Sequence, residues 1–161
     1  MPKPRVYVET TIPNFYYETR MQPQLVARRD LTRIWWSDAA ERYELVTGST
    51  VLRELAAGSR HHMVRLRMDL MRGIPVLFAR SRIREIARVY VEHKLMPSKP
   101  TIADAIHLAL ASDDHCDFIV TWDCRHLANP NKRAHIRRVN SGLGLHVPEL
   151  VTPDDLLRRR G

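Results

Sequence analysis

Short apolar runs limit this chain more than any other feature. "RVYV", "YELVTG", "IPVLFA" and "DFIVTW" are each continuous rather than alternating, and long amphipathic stretches lie between them. A strand that is apolar on both sides must be covered on both sides, and helices between strands supply the crossovers that parallel pairing needs. The order therefore predicts a three-layer α/β/α domain with a central, mainly parallel sheet, continuous over residues 1–161. At 161 residues the chain suits one compact core, and no linker or repeat divides it. Helices are expected over 12–20, 25–43, 49–57, 60–72, 81–95, 101–115 and 133–141. Ser49 or Thr50 is expected to cap the third of these, and Leu31, Ile34, Trp35, Ala39 and Tyr43 to form the core stripe of the second. Thr152 and Asp155 make a capping box around Pro153 at a last helix, with 156–161 expected as a solvated, frayed end.

No apolar run approaches the ~20 residues of a membrane span. The N-terminus has no secretory h-region, so a soluble, cytoplasmic protein is expected. Cys116 and Cys124 are then expected as free thiols. With His115 and His126 they suggest zinc, but the spacing is not that of a knuckle. The chain carries 26 Lys and Arg against 18 Asp and Glu, a net charge of +8, which favours polyanionic partners such as nucleic acid.

Four acids stand out against that basic background. Glu9 follows the first strand and Asp123 the fourth, in "IVTWD"; Glu54 lies early in the helix after the second strand. These three share the edge where ligands bind in open α/β sheets. Asp104 begins the helix that runs into the fourth strand, and a plain βαβ reading sets it apart from the other three. Two helices fill that crossover, so spacing alone leaves its edge undecided. Singly, each acid has an ordinary structural explanation: Asp104, for instance, completes a capping box with Thr101. Jointly, convergent carboxylates call for a cation, and an all-oxygen set suits Mg²⁺ or Mn²⁺. Ions of this kind activate water for phosphodiester cleavage. His107, one turn beyond Asp104 on the same face, is expected as a packed or capping histidine rather than one that lines the cleft, and His61 and His62 as surface residues.

"VYVETTIPNFYY", "TVLRELAAG", "IADAIHLALA" and "FIVTWDCRHLAN" occur in order and at suitable separations. Together they resemble the four acidic motifs of the PIN-domain family, and specifically the VapC-like ribonuclease toxins of prokaryotic toxin–antitoxin pairs. The resemblance covers nearly the whole chain. It implies a divalent-metal-dependent endoribonuclease with Glu9, Glu54, Asp104 and Asp123 as catalytic residues, and with Glu9, Asp104 and Asp123 holding the metal. It implies supporting roles for Thr10 beside the first acid and Thr121 in the loop of the fourth. It further implies RNA as substrate, a small antitoxin as partner, a homodimer, and a fold that brings Asp104 into the shared cleft. Arg125, Lys132, Arg133, Arg137 and Arg138 are candidate RNA contacts near the fourth acid. The departure is Glu9, where the family usually has aspartate. It leaves a second reading, a PIN-like module that binds RNA or protein and cleaves weakly. An aspartyl-phosphate enzyme needs a nucleophilic aspartate after an early strand, and glutamate at position 9 argues against it.

Overall fold

The computed structural model describes residues 2–95, 102–124 and 130–160. Five strands, β1 (Arg5–Val8), β2 (Glu44–Gly48), β3 (Val76–Leu77), β4 (Phe118–Val120) and β5 (Glu149–Val151), form one sheet in the order β3-β2-β1-β4-β5. Every pairing is parallel. Val6 lies beside Leu45 on one side and Phe118 on the other, so β1 is the centre of the sheet. Its last three residues, Val6, Tyr7 and Val8, have no solvent exposure, as a strand covered on both faces requires.

The first crossover carries α1 (Thr11–Tyr16), α2 (Pro23–Ser37) and α3 (Ala39–Arg42), and the second carries α4 (Ser49–Ala56) and α5 (His61–Met71). The third crossover returns across the sheet through α6 (Ser81–Glu92) and α7 (Ile102–Asp113); α8 (Arg133–Leu143) precedes β5 and α9 (Pro153–Arg158) ends the fold. α2 packs on α1 and α9, while α6 packs on α7. A buried network ties α6, α7 and α8 into one layer. The Tyr90 hydroxyl donates to Asn140 Oδ1 at 2.6 Å, and the Asn140 amide donates to Ser112 Oγ at 3.0 Å.

Three helices stop by the same device. Leu95 N–H returns to the Tyr90 carbonyl, Cys116 N–H to Ala111 and Leu145 N–H to Asn140. The residue before each is left-handed: Lys94, His115 and Gly144. This is the six-to-one closure of a Schellman end, completed by an apolar residue, and Leu95 and Cys116 are fully buried there. It ends α6 at Glu92 and α7 at Asp113, each short of its expected limit. α1 likewise ends at Tyr16, and the expected helix over 25–43 breaks at Asp38 into α2 and α3. Ile34 is 55% exposed and lies outside the stripe that Trp35 and Ala39 bury. The expected Ser49 or Thr50 cap is absent: Gly48 holds the cap position without a side-chain bond, and Ser49 Oγ instead accepts from Ala79 N–H at 3.2 Å. The Thr152–Asp155 capping box is present in full, with Pro153 in its first turn. At the C-terminus Arg158 pairs with Asp154, Arg159 with Glu149 and Arg160 with Asp38.

Candidate active site

The site begins with backbone geometry. Parallel strands end on one edge, and β1 delivers Glu9 there: its N–H bonds the Val120 carbonyl at the end of β4. Glu9 is 4% exposed, so its carboxylate needs donors inside the protein. Its Oε1 takes three: Thr11 N–H at 3.0 Å, the Thr11 hydroxyl at 2.5 Å and the Thr121 hydroxyl at 2.7 Å. Burial pushes the Glu9 carboxyl up from its ordinary value, although the field of His107 and these hydroxyls pull the other way.

Thr121 belongs to the Glu9 and Asp123 ends of the site at once. While its hydroxyl donates to Glu9, the same oxygen accepts from Asp123 N–H at 2.9 Å, which turns the loop after β4. Thr11 does the matching work from the other side, accepting from Trp122 N–H at 2.8 Å. Thr10 is the neighbour of Glu9 in sequence but not its partner. Its hydroxyl donates to Glu54 Oε1 at 2.8 Å, across to α4.

Glu54 has a second donor. His107 Nε2 lies 2.7 Å from the same Oε1, and its ring is fully buried while the Glu54 side chain is 38% exposed. Burial would raise the Glu54 carboxyl, but the His107 bond and charge and the Thr10 bond outweigh it, and the net shift is downward. For His107 burial opposes the charged form, and the bond to Glu54 with the fields of Glu9, Glu54 and Asp104 raises it above the ordinary histidine value. The expected choice between a packed and a cleft-facing histidine dissolves: His107 is fully packed and bonded to one of the four acids.

Asp104 joins the group. α6 and α7 lie antiparallel, with Arg82 at the start of one bonded to Asp113 at the end of the other at 2.9 Å. Asp114, just past α7, lies against Arg5 at the start of β1. α7 therefore descends from the carboxyl edge of the sheet to the amino edge, and its first turn sits beside Asp123. The two carboxyls are close enough to share a hydrogen bond. Burial first, then the charges of Asp123 and Glu9, push Asp104 up to about 7, although the field of His107 opposes them.

Among the described residues, no three Asp, Glu, His or Cys side chains gather at metal-ligand spacing. What the fold brings together is a close pair, Asp104 and Asp123, with Glu9 as the next carboxylate and Glu54 ion-paired to His107. A pair fits Mg²⁺ or Mn²⁺, because such ions are commonly held through one or two carboxylates, waters and a substrate phosphate. An acid whose ionisation is opposed by burial and by a neighbouring carboxylate, as at Asp104, is also the chemistry a cation relieves.

The candidate RNA contacts are dispersed. Arg125, like Thr101 and His126, lies outside the described residues. Lys132 ends a 3₁₀ turn over Pro130–Lys132. Arg133 and Arg137 line a cavity of about 220 Å³ with Val147 to Leu150, at the amino end of β5, and Arg138 lines another with Val89 and His93 of the α6 region. A cation that sequence reading missed lies against Trp122, the residue before the fourth acid. Arg28 lies 5.2 Å over the Trp122 ring and 5.5 Å over Phe15. Nothing in the α2 sequence distinguishes Arg28 from Arg29. Thr11 and Tyr7 were missed as well; for Thr11 the signal is a hydroxyl two residues after a strand-end acid, the spacing of a local side-chain turn. Cys116 and Cys124 are free thiols, the first buried and the second exposed.

No protein-family profile matches the sequence, and no curated protein sequence matches it. The fold does have a counterpart among solved structures. The chain is similar to one in the crystal structure of VapBC2 from Rickettsia felis bound to a DNA fragment from their promoter, with a TM-score of 0.58 at 12% sequence identity, over 92% of this chain and 98% of that one. The likeness is one of fold: an α/β domain built on a five-stranded, all-parallel sheet flanked by helices, as the PIN-like resemblance implies.

Proposed function

We propose that this protein is a divalent-metal-dependent endoribonuclease that hydrolyses RNA phosphodiesters at the Asp104–Asp123 cleft, and that it is the toxin of a toxin–antitoxin pair. The observation that carries the reading is the approach of Asp104 to Asp123 at the carboxyl edge, in a fold like that of a VapBC chain. Asp104 and Asp123 would hold Mg²⁺ or Mn²⁺, with Glu9 as the next carboxylate. The bound ion supplies positive charge at the phosphate and lowers the pKa of the attacking water. Glu54, kept ionised by His107, presents its second oxygen to orient that water. Thr121 and Thr11 fix Glu9 and the Asp123 loop, so the carboxylates need not reorganise when substrate arrives. The toxin role is supported by the VapBC likeness; with it go an expected cytoplasmic location, an adjacent antitoxin gene and a homodimer.

One observation favours the second reading, a PIN-like binding module. Glu9 commits one oxygen to three donors, is almost fully buried, and among the described residues completes no three-residue ligand group with its neighbours. Cleavage of a single-stranded RNA with Mg²⁺, with Mn²⁺ and with chelator separates the two. Metal-dependent cleavage lost in both Asp104→Asn and Asp123→Asn is expected; cleavage that survives both substitutions removes the nuclease reading.

A further inference from the structure

Tyr7 is the middle of the central strand and has no solvent exposure. A buried hydroxyl must find a partner, and this one meets His107 Nδ1 at 2.7 Å. Space for it exists because residue 48 is glycine: a Cβ there would lie 2.2 Å from the Tyr7 oxygen. On the far side of the ring, Nε2 meets Glu54 Oε1 at 2.7 Å. An ionised carboxylate only accepts, so Nε2 carries the hydrogen whether the ring is neutral or charged. In the neutral ring Nδ1 is then the acceptor, and Tyr7 O–H donates to it. Thr10 O–H lands on the same Oε1.

We propose that Tyr7, His107 and Thr10 form a relay that locks one oxygen of Glu54 and turns the other toward the cleft, making His107 a positioning residue of the site. The inference rests on the nuclease reading for its consequence, though not for its geometry. His107 touches no substrate. It works through Glu54, much as an outer-sphere partner orients a metal ligand, and removal of such partners typically costs about 10–100-fold in activity. A histidine that only filled the core would still need partners for its ring nitrogens; this one spends Nε2 on a carboxylate that is itself 38% exposed at the carboxyl edge of the sheet.

Four variants test it: His107→Leu, His107→Gln, Glu54→Gln and the double substitution His107→Leu with Glu54→Gln. In metal-dependent RNA cleavage, His107→Leu is expected to lose about 10–100-fold in kcat with KM little changed. His107→Gln, whose amide N–H reaches the same oxygen, recovers most of that. The double variant is no slower than Glu54→Gln alone, because both changes break one linkage. Losses that multiply would overturn the inference, as would His107→Gln as slow as His107→Leu at wild-type melting temperature. If His107→Leu does not fold, Tyr7→Phe takes its place in the cycle. A second readout needs no metal or substrate: ring ¹⁵N shifts of His107 should show hydrogen on Nε2 and, in the neutral ring, an acceptor Nδ1, with the Nδ1 signature altered in Tyr7→Phe. Hydrogen on Nδ1 alone would overturn the relay. Wild-type protein that cleaves no RNA with either metal would instead remove the nuclease reading and the positioning role with it, leaving the NMR result to decide the hydrogen bonds.

Discussion

Glu9 is one methylene longer than aspartate, and the structure uses that length. Oε1 reaches Thr11 N–H, the Thr11 hydroxyl and the Thr121 hydroxyl together. Withdrawing the carboxylate by up to about 1.5 Å strands buried donors, at about 1–3 kcal/mol for each group left unsatisfied. Glu9→Asp should therefore melt well below wild type. Glu9→Gln keeps a carbonyl oxygen for the same donors and should melt close to wild type while losing most metal-dependent cleavage. Equal melting temperatures for the two variants would show that the length is incidental. Asp104 supplies a pH signature in the metal-free protein. Its folded value, about 7, lies above the ordinary 3.8, so the folded state binds the proton more tightly. Its contribution favours folding below about pH 4 and is lost as pH rises through 7. Between pH 5 and pH 8 wild type should lose melting temperature relative to Asp104→Asn, and Mg²⁺ should restore part of the loss at pH 8. Identical pH profiles would mean that neither burial nor Asp123 raises Asp104 in the folded protein. At this scale the sequence placed Glu9 and Asp123 at the carboxyl edge, because strand ends are readable. It did not show their partners. Thr10 goes to Glu54 and Thr11 to Glu9, and that choice depends on side-chain direction at the turn into α1.

The elements were legible where periodicity or capping chemistry is local. The capping box at Thr152 needs only four residues, and α4, α5 and α8 fall close to their expected spans. Ends set by backbone geometry were not. Lys94 and His115 adopt left-handed conformations that glycine usually marks, so their Schellman closures carry no sequence signal. β3 is also shorter than "IPVLFA" suggests. It pairs only through Val76 and Leu77, on an edge where Phe78 is 59% exposed. Gly48 joins β2 to α4, and its role is steric. An added methyl would meet the Tyr7 hydroxyl at 2.2 Å and Leu110 at 2.7 Å. Tyr7 can move only by giving up His107. Gly48→Ala is therefore expected to cost about 1–3 kcal/mol, the usual range for overpacking a core. It should also slow cleavage, since the strain falls on the contact that holds His107. A Gly48→Ala protein that melts and cleaves like wild type would show that Tyr7 has room to spare.

At the scale of the whole molecule, the antiparallel packing of α6 on α7 decides the site, because it starts α7 at the carboxyl edge. No spacing rule fixes how two helices share one crossover, which is why Asp104 stood apart in the sequence. Charge is governed at this scale too. A net charge of +8 favours RNA, but Arg5, Arg42, Arg82, Arg158, Arg159 and Arg160 are spent on acids within the fold. Among the described residues, Arg60 and Arg67 are not in such pairs. With Asn14, Tyr17 and the Glu18–Arg20 ion pair they line a cavity of about 310 Å³ near α1, the helix whose N-cap, Thr10, bonds Glu54 and whose first residue, Thr11, bonds Glu9. Burial depresses Arg67, and the like charge of Arg60 adds to that against the opposing field of Glu18. Such a pair gains most from an anion. For single-stranded nucleic acid, log affinity falls with log salt at about 0.7 per phosphate neutralised. Binding of a single-stranded RNA by the metal-free protein, followed across a salt series, should therefore flatten by roughly 1 or more in slope when Arg60 and Arg67 are both replaced by glutamine. Replacing Arg158 and Arg159 should leave the slope unchanged, because their charge is already matched. If both pairs of substitutions flatten it equally, RNA senses only total charge and the fold has no built phosphate path.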